Sequence, residues 1–319
     1  MSKTAYMFPG QGAQYIGMGR DFYEALENSR RVYEISSQVT GLDIAGLCFE
    51  ENENINITEY TQIALYTTEM AMYQYLLDKN LNADVHIGLS LGEYAALTAS
   101  KVISLKDGCH VVRKRGMFME HEVMAGIGTM AAVLGMTADK IESVLEKLGS
   151  EKEIAVANYN CPGQIVISGE KKAVINAMES LKEAGAKRVI ELNVSGPFHS
   201  PMLLGAGSKL AEELEKVVLN TPEIPYVANV NADYVNESTS MEQIKKLLAE
   251  QVYSSVRFEQ SVRRLIADGV TEFVEIGPGK TLTGFVKKIA KDMETAGEIT
   301  TVNIEKMEDA ISYAAERGK

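Results

Sequence analysis

Gly88-Leu89-Ser90-Leu91-Gly92 sets a serine between two glycines at G-x-S-x-G spacing. Where that pattern joins a strand to a helix, the sharp turn lifts the hydroxyl clear of the backbone and the helix start offers free N–H donors. Such a serine can serve as the nucleophile of acyl transfer through an acyl-serine intermediate. Both flanks suit this: Asp84 to Gly88 reads as a compact strand, and Glu93 to Ser100 is rich in helix formers. The plainer reading is a glycine-rich turn whose serine only caps a helix.

A hydroxyl is a poor nucleophile until a base accepts its proton. The chain has four histidines. His86 falls inside the strand, and His110 and His121 on the following helix, positions that suit packing or the surface. His199 sits in the loop Gly196-Pro197-Phe198-His199, before Ser200-Pro201, a cap residue followed by proline at a first helical position. The positive end of that helix would disfavour imidazolium and keep the ring neutral, as a general base must be. Against this, His199 could simply complete a turn.

Arg115 has Val111, Val112, Phe118 and Met119 at i−4, i−3, i+3 and i+4, which puts a permanent charge on an apolar helix face. A buried guanidinium needs a partner, and a substrate carboxylate would meet its fork; an internal Asp or Glu, or a snorkelling side chain, would serve as well. Gly116 in the same helix costs about 1 kcal/mol relative to alanine, which suggests a close approach to the backbone. Donors for a developing oxyanion could come from the Leu91 N–H and from the loop Gly10-Gln11-Gly12. Gly277-Pro278-Gly279-Lys280-Thr281 lacks the earlier glycine of a phosphate loop, since position 274 is Val274, and reads instead as a strand-to-helix turn near the same pocket.

These residues need a scaffold. Lys3 to Phe8 reads as a strand, Gly17 to Leu26 as a helix, Thr61 to Asp78 as a long buried helix, and Ser104-Leu105-Lys106-Asp107 as a capping box opening a helix to about Val123. From about Gly126 the rhythm is β-α-β-β-α-β: strand Met130 to Met136, helix Thr137 to Leu148, strands Ile154 to Asn158 and Gln164 to Ser168, helix Lys171 to Ala184, strand Lys187 to Asn193. That order signals a ferredoxin-like unit. Afterwards come helices from Pro201, Met241, Val256 and Thr281, with strands near Tyr226 to Asn229 and Glu272 to Ile276. The expected fold class is therefore α/β, with a discontinuous large catalytic unit over 1–125 and 195–319 and a small ferredoxin-like unit inserted at 126–194.

Composition narrows the setting. At 319 residues the chain can bury a large core, and its three cysteines, Cys48, Cys109 and Cys161, are far apart and odd in number, which argues against a disulfide framework and a zinc site. The first residues lack the apolar run of a signal peptide and no later run is long enough to span a bilayer, so a soluble, cytoplasmic protein without membrane insertion is expected. A net charge of −12 disfavours nucleic acid, although Lys287, Lys288 and Lys291, or Arg113 and Lys114, could form local basic patches for an acidic partner. A solvated helix face is the plainer reading of those runs.

Taken together, Phe8-Pro9-Gly10-Gln11-Gly12, Gly88 to Glu93, Arg115-Gly116, Asn160-x-Pro162-Gly163-Gln164, Phe198-His199 and Glu275-x-Gly277-Pro278-Gly279 resemble the malonyl-CoA:acyl carrier protein transacylases, acyltransferases of fatty acid and polyketide synthesis. The resemblance spans nearly the whole chain. It implies an α/β-hydrolase-like large subdomain with a ferredoxin-like small one, Ser90 as nucleophile, His199 as base, and backbone N–H groups of Gln11 and Leu91 as the oxyanion hole. It further implies that Arg115 grips the malonyl carboxylate, that the Gln251 carbonyl orients the histidine in place of an acidic third member, and that Asn160 lines the cleft. Malonyl-CoA and acyl carrier protein are the implied partners, with no metal or cofactor and a monomeric enzyme.

The family commonly has histidine before the nucleophile where this chain has Leu89, a departure that bears on substrate preference. Phe198 resembles malonyl-selective rather than methylmalonyl-selective relatives, one methyl group discriminating by about 1–3 kcal/mol. Rival functions are an acyltransferase serving a polyketide carrier, a serine esterase, a patatin-like lipase using Ser-Asp, and an inactive carrier-binding homologue. The usual hydrolase order is disfavoured because no histidine follows His199.

Overall fold

The computed structural model describes residues 3–148 and 153–317; residues 1–2, 149–152 and 318–319, which fall within the expected units, lie outside the described residues. Two sheets organise the chain. The first comprises β1 (Lys3–Phe8), β2 (Val85–Gly88), β7 (Tyr226–Val227), β8 (Tyr234–Val235), β9 (Val270–Ile276) and β10 (Thr300–Ile304), in the order β10-β9-β1-β2-β7-β8. All neighbours are parallel except β7 and β8. β1 and β2 are buried nearly throughout, as expected of parallel strands covered by helices on both faces. One apolar cluster packs on each face of this sheet.

The second sheet is antiparallel: β3 (Gly128–Leu134), β4 (Ile154–Cys161), β5 (Gln164–Glu170) and β6 (Arg188–Glu191), ordered β4-β5-β3-β6. With helices Ala138–Leu148 and Lys171–Glu183 it forms the βαββαβ unit that the sequence rhythm implies. Strand alternation divides its residues between two duties. Ala131, Val133, Ile165 and Ile167 pack on those helices, while Met130, Ala132, Gln164 and Val166 face a pocket against the parallel sheet.

Several elements differ from expectation. The helix expected over Gly17 to Leu26 is only Arg20–Ala25, because Gly17 (φ 96°) and Gly19 (φ 73°) use the left-handed region to turn the chain. Helices Glu27–Thr40 and Ile44–Phe49, strands β8 and β10, and helix Met307–Arg317 were not anticipated. The helix expected from Val256 starts at Phe258, since Val256 instead pairs with β4: its N–H donates to Ala157 O at 2.8 Å and its carbonyl accepts from Tyr159 N at 2.9 Å. Helix Leu105–His121 does open as read, with Ser104 Oγ accepting from Asp107 N at 3.0 Å.

The long helix Thr58–Asp78 is buried on almost every face, so it shows no polar stripe and acts as a central pillar. Cys48, Cys109 and Cys161 are all buried and free. No described helix is long and apolar enough to cross a membrane.

Candidate active site

The first element of the site is a tight elbow. Ser90 lies two residues past the end of β2 and has φ 53°, the left-handed region that non-glycine residues rarely occupy. The flanking glycines are required by contact rather than by φ: a Cβ on Gly88 would lie 1.9 Å from Gly92 C, and one on Gly92 would lie 2.0 Å from Phe8 O. Gly10 is equally confined, its Cβ position falling 2.5 Å from Leu89 O. The elbow and the Gly10-Gln11 loop therefore interlock at the ends of β2 and β1. Asn229, just past β7, clamps the turn, its Oδ1 accepting from Ser90 N at 2.7 Å and its Nδ2 donating to Gly88 O at 2.7 Å.

Ser90 Oγ lies 2.6 Å from His199 Nε2. His199 Nδ1 lies 2.7 Å from the Gln251 carbonyl, which can only accept. Nδ1 must then carry the proton, and the bare lone pair of Nε2 faces the serine hydroxyl. Burial, helped by the Arg115 charge, pulls the imidazole pKa down to about 3, so the ring is neutral. This corrects the helix-start explanation. Ser200 makes no side-chain cap, its Oγ donating to Pro197 O, and Pro201–Leu203 is a single 3-10 turn before helix Leu204–Leu214.

Arg115 is 1 % exposed and lines the same pocket. Its Nη1 donates to Gln62 Oε1 at 2.6 Å, and its Nη2 to Gln251 Oε1 at 2.8 Å and Ser90 Oγ at 3.1 Å; its carbon stands 5.2 Å from the centre of the Tyr94 ring. Every partner is neutral, Nε has none, and no ion pair to Arg115 occurs among the described residues. A buried cation held by amides, a hydroxyl and an aromatic face keeps its charge for an incoming anion. Gly116 is explained by packing: its Cβ would meet Glu59 Cα at 3.0 Å.

The remaining expected residues fall as follows. Gln11 and Leu91 both line the pocket, and neither backbone N–H donates to protein among the described residues. Gln11 Nε2 donates to Thr58 Oγ1 at 3.1 Å, which anchors its loop. Asn160, Phe198 and Leu89 line the pocket too, Asn160 with an unpartnered buried Oδ1. Gly277 does begin a strand-to-helix turn, and it packs on Pro9, next to the pocket-lining Gly10, and on Glu69 without lining the pocket itself. Among the suggested basic residues, Arg113 pairs with Glu59 at 3.0 Å, while Lys287, Lys288 and Lys291 are exposed on one helix. His86 is buried against Ser100, His110 meets Glu213, and His121 is on the surface near Glu59.

Sequence reasoning missed Gln62, Glu93 and Asn229. Glu93 is fully buried one helical turn from Ser90 and accepts from Gln251 Nε2 at 2.6 Å. An acid in the first turn of an otherwise apolar helix was the available signal.

The pocket, about 240 Å³ and mostly apolar, places a neutral base on a serine, two free N–H groups beside it and a buried guanidinium across from them. That arrangement suits attack on an acyl carbonyl whose far end carries negative charge. Known proteins agree with it. The acyl transferase domain pattern matches residues 5–312. The malonyl CoA-acyl carrier protein transacylase of Bacillus subtilis is 46% identical over 92% of this chain and 93% of its own. The crystal structure of the Clostridium perfringens malonyl CoA-acyl carrier protein transacylase superposes with a TM-score of 0.92 at 42% identity, covering 99% of this chain and 98% of that one. A malonyl-transacylase solved in complex with a type II polyketide-synthase acyl carrier protein superposes with a TM-score of 0.92 at 33% identity over 99% of this chain and all of its own. With matches of this extent behind a site of this chemistry, the chain belongs to the acyl transferase family, among its malonyl CoA-acyl carrier protein transacylases.

Proposed function

We propose that this protein moves a malonyl group from malonyl-CoA to the phosphopantetheine thiol of acyl carrier protein, for fatty acid synthesis, by way of a malonyl-Ser90 ester. The observation that carries this reading is Arg115: a buried guanidinium with no anionic partner, 3.1 Å from the nucleophile's oxygen. It supports a short acyl group ending in a carboxylate, which would give the guanidinium a direct anionic partner within the pocket.

In the proposed sequence His199 Nε2 takes the Ser90 proton as Oγ attacks the thioester carbonyl. The oxyanion is met by the N–H groups of Gln11 and Leu91, and collapse expels the coenzyme A thiolate, which takes the proton back from His199. The carrier thiol then gives His199 its proton and attacks the ester, returning Ser90 Oγ with a proton. The Gln251 carbonyl holds the histidine tautomer throughout. Phe198 and Asn160 shape the acyl end of the pocket. No metal or cofactor enters this chemistry, and the reading places the enzyme in the cytoplasm as a monomer of two units, 1–125 with 195–319 and 126–194.

Intact-mass measurement after mixing with malonyl-CoA tests the reading. A single malonyl adduct that disappears on adding holo carrier protein is expected, and an unmodified protein would overturn it. The solved complex with a polyketide carrier gives a second reading of the acceptor. Competition between fatty-acid and polyketide carrier proteins for the preformed adduct decides it, the faster acceptor naming the pathway.

A further inference from the structure

Glu93 has no place in the proton and acyl transfers above, yet it is fully buried a few residues from the nucleophile. Its Oε2 accepts from Gln251 Nε2 at 2.6 Å and from Asn229 N at 3.3 Å, and its Oε1 meets no protein group. Gln251 Nε2 also donates to Ser90 O at 2.8 Å, so both of its hydrogens are used on acceptors. The Gln251 Oε1 is left to face Arg115 Nη2 at 2.8 Å. The reversed amide would set Oε1 against a carboxylate oxygen and a carbonyl, and its NH2 against the guanidinium. Acceptors would then oppose acceptors and donors oppose donors.

We propose that Glu93 is a positioning residue that, by accepting the Gln251 side-chain N–H, fixes which end of that amide faces Arg115 and so holds the guanidinium where it meets the acyl group's terminal carboxylate. The proposal rests on the malonyl-transfer reading. It makes Gln251 bifunctional, its main-chain carbonyl setting the tautomer of His199 and its side chain setting the position of Arg115. Burial pushes the Glu93 carboxyl up to about 7, against the hydrogen bonds from Gln251 and Asn229. Oε2 can accept in either protonation state, since Oε1, which meets no protein group, is free to carry an acid proton. The arrangement therefore persists across neutral pH.

The test compares malonyl-CoA with acetyl-CoA, since acetyl lacks the carboxylate that Arg115 would hold. Wild-type protein is first shown to form a malonyl adduct by intact mass; if it does not, the transfer reading and this inference both fall. If it does, Glu93→Ala should lower the malonyl-to-acetyl ratio of kcat/KM by about tenfold, mainly through a higher KM for malonyl-CoA. Glu93→Gln, which can still present an amide oxygen to Gln251, should restore the ratio to within about threefold of wild type. Equal losses for both acyl groups, or a Glu93→Gln variant as poor as Glu93→Ala, would overturn the positioning role while leaving the transfer reading intact. Gln251→Met keeps the carbonyl to His199 and removes the amide, so it carries the same test if Glu93→Ala does not fold. An unchanged ratio in Gln251→Met overturns the proposal. The Glu93→Ala/Gln251→Met double variant should lose no more selectivity than Gln251→Met alone, and additive losses would break the route through Gln251.

Discussion

The two sheets meet at one pocket but bring different things to it. The parallel sheet delivers its polar groups from the carboxyl ends of neighbouring strands: Gln11 after β1, Ser90 after β2 and Asn229 after β7. Crevices outside those strand ends are where open α/β sheets place their ligands. Arg115 and Gln62 come from helices Leu105–His121 and Thr58–Asp78, which pack against each other. The antiparallel sheet presents Met130, Ala132, Val166, Asn158, Asn160 and Gln164, apolar groups and amides with no titratable side chain. Chemistry thus resides on one side of the cleft and shape on the other, so substitutions on the two sides should differ in which kinetic constant they move.

The largest effect is expected for Ser90→Ala, which should abolish the malonyl adduct in intact-mass spectra and lower turnover by about 10⁴-fold or more. His199→Ala should slow acylation by roughly 10³–10⁴-fold, measured as the rate of adduct formation in single turnover. Arg115→Ala should cost malonyl kcat/KM about a hundredfold and acetyl kcat/KM far less. Equal losses for the two donors would remove the carboxylate-holding role. Across the cleft, Asn160→Ala deletes an unpartnered acceptor facing the pocket. It should raise KM by less than about tenfold and leave the single-turnover rate nearly unchanged. A drop in that rate of about a hundredfold would break the division between the two sheets.

The smallest effect is one of pH. With the His199 pKa depressed to about 3, the base stays neutral at every pH above that value, so the acid limb of malonyl kcat/KM should not appear near 6.5. A limb centred on 6.5 would show that the ring is wetter and more exposed than this geometry has it. The sign for stability is the reverse of that for a salt-bridged histidine. The unfolded chain binds more protons than the native one between pH 6.5 and 3, so His199 and His86, itself lowered to about 3, erode stability as pH falls through that window.

How much of this could be read in the sequence depended on whether geometry restricts residue type. The elbow was legible because no side chain fits at positions 88 and 92, and the guanidinium because a permanent charge stood among valines and a methionine. Gln251 was found only through family resemblance, and only for its carbonyl, a group every residue possesses. Gln62 and Asn229 stayed hidden because neutral amides are tolerated on helices and in turns alike. The βαββαβ rhythm was plain from its alternating strands, whereas helix Glu27–Thr40 carries a narrow apolar face among polar residues and Ile44–Phe49 is a six-residue apolar run too short to show a helical period, so both passed as connections. The reason for the neutral histidine was misread: a dipole was invoked from a cap pattern, but enclosure and a neighbouring cation act instead.

The three buried, free cysteines bear on fidelity. Burial pushes the thiols of Cys48 and Cys109 up to about 12 and that of Cys161 up to about 11, so at neutral pH hardly any thiolate exists on the protein. An acyl group that arrives on sulfur and is meant to depart on sulfur is held meanwhile on oxygen, with no competing sulfur nucleophile inside the carrier of the reaction. Buried and held protonated, the three thiols offer the acyl group no ready route to a dead-end thioester.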